Sequence, residues 1–147
     1  MSSIGVFVCH CGHNIAGYLD VAELLASART LPHVVYAHDS LFTCSDAGLA
    51  EIREAIADHD LNRVLVASCT PRTHEPLFQD TLISAGLNKY LFEMCNIRNQ
   101  DSWVHKNNPE LATEKAKDLV RMAVAKAALL SPLKETGLSV SRSALVV

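Results

Sequence analysis

Apolar positions along the chain fall into two rhythms: short unbroken runs, and longer stretches spaced by three or four. The first run, "IGVFVC" from Ile4 to Cys9, is nearly continuous and rich in β-branched residues, so it predicts a buried strand. Similar runs predict strands from His33 to Asp39, Arg63 to Cys69 and Lys89 to Cys95. The helical rhythm appears between them. From Asp20 to Thr30, Val21, Leu24, Leu25 and Ala28 share one face, with Asp20 placed as a cap. From Ser45 to Asp60, Leu49, Ile52 and Ile56 do the same, and Ser45 suits the N-cap. His74 to Gly86 reads as a helix closed by a left-handed glycine. Pro109 to Leu130 reads as a long amphipathic helix, with proline in its first turn and Pro132 as its stop.

Strand and helix in alternation mark a parallel sheet with right-handed crossovers. The expectation is an α/β fold: a small doubly wound parallel sheet of four strands in the order 2-1-3-4, flanked by helices, with the long C-terminal helix. Residues 1–133 would form this domain. Residues 134–147 would be a linker and a strand, "SALVV", that opens a further domain. An unpaired strand of that kind would also offer an edge for pairing between chains, and so a route to a homo-oligomer.

Composition changes the picture only by exclusion. A net charge of −3 gives no reason to expect nucleic acid as a partner. No apolar run approaches the roughly 18 residues of a membrane span, and no signal peptide is visible at the N-terminus. The expected location is the cytoplasm. In a reducing compartment, five cysteines point to metal, cluster or thiol chemistry rather than structural disulfides.

Their placement carries more than their number. Cys9 ends the first strand and Cys11 lies just beyond it, in "VCHCGHN". Cys44 precedes the second helix, and Cys69 and Cys95 end strands three and four. All five fall at the carboxyl edge of the expected sheet. Strands one and three are expected neighbours whose helices leave on opposite faces, which is where open α/β sheets place their ligands. Cys9, Cys11, Cys44 and Cys69 can meet there, and four thiolates suit either tetrahedral zinc or an iron–sulfur cluster. The alternative is that the cysteines serve as small buried apolar residues. That alternative is the preferred reading for Cys95, set among Phe92, Met94 and Ile97.

His10 and His13 are further candidate ligands at the same mouth. Helix starts beside Cys44 and Cys69, together with Arg72, would favour thiolate formation. "CTPRTHEP" invites a thiol-catalytic reading with His74 as base, but the spacing from Cys69 to Arg72 is too short to cradle a phosphate. Trp103 reads as a packing residue. No G-x-G-x-x-G occurs, so the sequence holds no dinucleotide fingerprint.

Five longer motifs resemble a known family: "VCHCGHNIAGYLDV", "CSDAGLAEI", "LNRVLVASCTPRTHEPLFQDTL", "AGLNKYLFEMCNIRNQDSWVH" and "ATEKAKDLVRMAVAKAALLSPL". Together they resemble the N-terminal region of the heterodisulfide reductase A-type subunits, from about Ile4 to Leu133. The resemblance implies an electron-transfer module belonging to a flavoprotein oxidoreductase that carries FAD and several 4Fe–4S clusters. It implies a 4Fe–4S cluster here, held by Cys9, Cys11, Cys44 and Cys69. Cys95 departs from the family pattern, where a small residue such as alanine is usual. The segment resembling "SALVV" would be the first strand of the flavin-binding domain. On that reading this chain binds no FAD by itself, performs no catalysis alone, and works with other redox subunits. Two other readings stand beside it: a docking domain whose cysteine site is zinc-loaded or empty, and a thiol-redox domain.

Overall fold

The computed structural model describes residues 1–146. Four strands and four α-helices follow the expected alternation: β1 Ile4–Cys9, α1 Val21–Ala28, β2 Val34–Ser40, α2 Asp46–Asp58, β3 Arg63–Ser68, α3 Pro71–Ser84, β4 Phe92–Asn96 and α4 Pro109–Leu129. The strands form one sheet in the order β2-β1-β3-β4. Every pairing is parallel, with Val6 opposite Ala37 on one side and Leu65 on the other. β1 is buried along its whole length, as its unbroken apolar run requires.

Two cores sandwich the sheet. On one face Ile4, Val6, Val8, Leu65 and Ala67 pack under α1 and α4, against Leu24, Ala116 and Val120. On the other, Phe7, Val64 and Val66 pack under α2 and α3, against Ile52, Phe78 and Leu82. The split follows the strand period of two, since Val64, Val66 and Leu65, Ala67 point to opposite faces. The helices after β1 and β3 therefore leave in opposite directions, and the doubly wound order expected from the sequence is the one formed.

The caps behave as their residue types demand. Asp20 accepts a hydrogen bond from the Glu23 N–H (2.9 Å), and Ser45 from the Gly48 N–H (3.2 Å). Gly86 takes φ +81° just beyond α3.

Four local expectations need correction. α3 begins at Pro71, three residues before His74, because proline at the first helical position leaves no N–H unpaired and presets φ. β4 begins at Phe92 rather than Lys89, because the Asn88 side chain accepts from the Tyr90 N–H (3.0 Å) and folds the preceding residues into a turn. Trp103 is 45% exposed and stacks on Arg98 instead of packing inside. Residues 131–146 are exposed and form no helix or strand, so the strand expected over "SALVV" is not formed by its described residues; Val147 lies outside them. A strand needs a neighbour's N–H and C=O groups, and no sheet edge takes this segment.

A π-helical turn, Arg98–Ser102, joins β4 to α4, and no pattern in the sequence foretells it. Its wide spacing is closed by Ser102 N–H to Ile97 O (3.1 Å) and Trp103 N–H to Arg98 O (3.0 Å). Ser102 Oγ donates to Asn14 O (2.7 Å), tying this turn to the loop after β1. The turn buries Asp101 completely, with no hydrogen-bond partner for either carboxylate oxygen. Burial pushes the Asp101 carboxyl up to about 6, with Lys115 pulling it the other way.

That shift sets a pH dependence. Between about pH 4 and pH 6 the native chain holds a proton that the unfolded chain has released, so this group's contribution to stability falls as pH rises through the window. Asp101→Asn is expected to stabilise the fold by about 1–3 kcal/mol at pH 7.5 and by clearly less at pH 4.5. Urea denaturation at the two pH values measures the difference, and equal effects at both would contradict it.

Candidate metal centre

Cys9 is the last residue of β1, Cys11 follows two positions on, Cys44 stands just before the Ser45 cap of α2, and Cys69 lies between β3 and the start of α3. All four line one cavity of about 50 Å³ at the carboxyl edge of the sheet, with Phe42, Ser68, His74, Phe78 and Arg98. Three separate segments thus meet where β1 and β3 lie side by side and the chain departs to opposite faces.

Local geometry brings the sulfurs together. Cys11 (φ 50°) and Gly12 (φ 61°) take consecutive left-handed conformations, which turn the chain sharply after β1. The Cys11 N–H then points back to Cys9 Sγ (3.2 Å), and the Thr43 N–H reaches the same sulfur (3.4 Å). Two straps join the loop after β2 to this turn: His10 N–H to Ser40 O (2.9 Å) and Gly12 N–H to Leu41 O (3.2 Å). Gly48 lets the loop pack onto α2. A Cβ there would lie 2.6 Å from Thr43 O and 2.7 Å from Thr43 Cα, so any larger residue would push the backbone beside Cys44.

The electrostatics correct one expectation. Helix starts and Arg72 suggest stabilised thiolates, but burial pushes both the Cys44 and the Cys69 thiol up. For Cys44 the neighbouring Cys9, Cys69 and Cys11 push further in the same direction. The cation that opposes burial at Cys69 is Arg98, whereas Arg72 is exposed and does not line the cavity.

Arg98 is a residue that the sequence patterns do not single out. Its Nη1 donates to Cys11 Sγ (3.2 Å), and its guanidinium lies 4.7 Å from the centre of the Trp103 ring. One signal does point to it. Arg98 follows the end of β4 by two residues, so it falls at the same sheet edge as the cysteines.

The histidines of the opening motif stand apart from the cavity. His10 Nε2 pairs with Asp39 Oδ2 (2.6 Å), and His13 is exposed with its ring against Tyr18. Cys95 is also apart. It packs in the core under α1 and α4, and burial pushes its thiol up to about 12. Among the described residues no three His, Cys, Asp or Glu side chains are gathered closely enough to hold a single metal ion.

These features define a class: a parallel α/β domain with a thiol-lined crevice at its topological switch point. Sequence comparison then shows what the chain is similar to. Over 144 residues, 98% of its length, the chain is 57% identical to the A-type subunit of the H(2):CoB-CoM heterodisulfide,ferredoxin reductase of Methanothermobacter marburgensis, covering 22% of that protein. It is 56% identical, with the same coverage, to the second A-type iron-sulfur subunit of the CoB–CoM heterodisulfide reductase of Methanopyrus kandleri. It is 51% identical to the A-type subunit of the Ferredoxin/F(420)H(2)-dependent CoB-CoM heterodisulfide reductase of Methanosarcina acetivorans, covering 98% of this chain and 18% of the relative. No protein-family model matches. The chain is homologous to part of the heterodisulfide reductase A-type subunits, as its motifs suggest, and spans about a fifth of the length of the curated relatives it matches.

The thiols should differ in reactivity. A thiol with a pKa near 12 stays protonated and inert at pH 8, and protonation adds to burial in blocking attack. In the folded apo chain, iodoacetamide at pH 8 is expected to label half-buried Cys11 and Cys44 well before Cys95, and Cys95 only after unfolding. Peptide mass spectrometry reads the order; early labelling of Cys95 would contradict it.

Proposed function

We propose that this domain is an electron-transfer module that holds a 4Fe–4S cluster through Cys9, Cys11, Cys44 and Cys69. The observation that carries the reading is the convergence of these four thiols, from three segments, on one cavity at the switch point. Thiolates are the usual ligands of iron–sulfur clusters.

The donor set fits such a group. Two backbone N–H groups point at Cys9 Sγ, and hydrogen bonds to sulfur favour the charged form and help tune a cluster. Burial first, and then the neighbouring cysteines, raise the Cys44 thiol, and a positively charged centre between the sulfurs would oppose both. The upward shifts of Cys44 and Cys69 weigh against a thiol-redox enzyme, whose nucleophile needs a depressed pKa. The Methanopyrus relative is named an iron-sulfur subunit, which points the same way.

When bound, the cluster would supply one-electron acceptance and release. The chain's own residues do the rest. Cys9, Cys11, Cys44 and Cys69 hold it, the Cys11 and Thr43 N–H groups favour negative charge on sulfur, and Phe42 and Phe78 limit water at the cavity wall. In this reading residues 1–133 form the cluster-binding unit and residues 134–147 lead away from it. FAD, the oxidoreductase activity and the partner redox subunits belong to the whole protein, in the cytoplasm. No helix of the described residues is long and apolar enough to cross a membrane.

Anaerobic reconstitution tests the reading. The chain should take up roughly four irons and four sulfides, with broad visible absorbance. Serine replacement of Cys9, Cys11, Cys44 or Cys69 should each cut iron content severely, while Cys95→Ser should leave it unchanged. Zinc alone, no metal, or loss of iron only in Cys95→Ser would overturn the assignment.

A further inference from the structure

We propose that Arg98 is the cation that sets the electron affinity of the four-cysteine site, acting through the Cys11 sulfur. The inference rests on the cluster reading above and adds to it a residue that is not a ligand.

The geometry is specific. Arg98 Nη1 donates to Cys11 Sγ at 3.2 Å. The Nε–H of the same side chain donates to Asn99 Oδ1 (3.3 Å), and its guanidinium lies over the Trp103 ring at 4.7 Å. Arg98 is half-buried, and among the described residues no carboxylate lies within ion-pair distance of it. Asp101, on the same turn, makes no hydrogen bond to it. A partly desolvated cation without a carboxylate is costly unless another negative group faces it. Here that group is a cysteine sulfur, which becomes negative as a metal ligand.

The backbone holds this arrangement. The π-helical turn starts at Arg98, Asn96 Oδ1 accepts from the Asn99 N–H (2.9 Å), and Ser102 Oγ anchors the turn to Asn14 O (2.7 Å). Arg98 and Cys11 are therefore positioned by two loops that are bonded to each other.

The chemical consequence has a fixed sign. Adding one electron makes the thiolate-held group one unit more negative, and a nearby positive charge stabilises that reduced state. Removing the charge lowers the reduction potential. Arg98 is thus a positioning and tuning residue, and Trp103, although exposed, keeps its guanidinium in place through a cation–π contact.

The test is an anaerobic potentiometric titration of the reconstituted chain with dithionite and mediators, followed by visible and electron paramagnetic resonance spectra. Arg98→Gln is expected to lose electron affinity about tenfold or more, which is about 59 mV downward for a one-electron couple. Arg98→Lys keeps the charge and should stay close to the unsubstituted chain. Trp103→Ala should give a smaller fall in the same direction. An iron-loaded Arg98→Gln chain at the unsubstituted potential would overturn the proposal, as would Arg98→Lys falling as far as Arg98→Gln. If Arg98→Gln takes up no iron, an unchanged potential in Trp103→Ala overturns it instead. Iron content distinguishes the two levels of failure. No four-iron group in the unsubstituted chain sinks the proposed function and this inference together; a loaded site indifferent to charge at position 98 sinks only the inference.

Discussion

β1 and β3 lie side by side, and the chain leaves them toward opposite faces of the sheet. The chain after β1 runs through α1 to β2 on one side of this pair, whereas the chain after β3 runs through α3 to β4 on the other. The divergence opens a crevice that the helices do not fill. Cys9, Cys11, Cys44 and Cys69 come from three separate stretches of sequence and meet only because this crevice exists. Cys95 shows the contrast. It stands near the end of β4, beyond the divergence, and its strand position turns it into the apolar core instead.

Placing four sulfurs in one small cavity creates a problem of charge. As thiols they are tolerated, and burial at Cys44 and Cys69 favours that neutral state. As thiolates they would repel one another. The surrounding groups favour the charged form all the same: two N–H groups reach Cys9 and a guanidinium reaches Cys11. Donors directed at sulfur suit thiolates better than thiols, and the proposed cluster would supply the positive centre that four thiolates need.

The sheet, its order and the grouping of thiols are legible in the sequence because each rests on a local rule. Buried parallel strands read as apolar runs, helices show their spacing, and cysteines at strand ends declare their edge. What stays hidden depends on contacts between distant segments. The π-helical turn is tied down by the Ser102 bond to Asn14, which leaves no pattern in "RNQDS". Arg98 gains its role from that turn, so in the sequence it resembles any charged loop residue. Arg72, closer to Cys69 in sequence, reads as the better cation but lies exposed. His10 and His13 stand out only because they flank the cysteines. Backbone direction after β1 sends one to Asp39 and the other to the surface. The thiol pKa direction reads the wrong way because helix ends and a nearby arginine are visible in a sequence, whereas burial is not.

A site with the proposed electron-transfer role would gain from structure that changes little when charge arrives. The exits of β1 and β2 are joined by two backbone hydrogen bonds, from His10 to Ser40 and from Gly12 to Leu41. Thr43, itself buried, donates to Cys9 and shares a hydrogen bond with Ser40 (2.9 Å). Ser102 joins the loop after β1 to the turn after β4. Gly48 allows α2 to press directly on the backbone beside Cys44. The loops after β1, β2 and β4 are thus each bonded to, or packed against, another element. Such cross-linking limits the movement of dipoles and side chains around the site, so a change of charge is answered by groups already in place rather than by rearrangement. The same cross-linking would suit the fold to carrying the proposed cluster: the sheet supplies the crevice, and short polar contacts between loops supply the fixed surroundings.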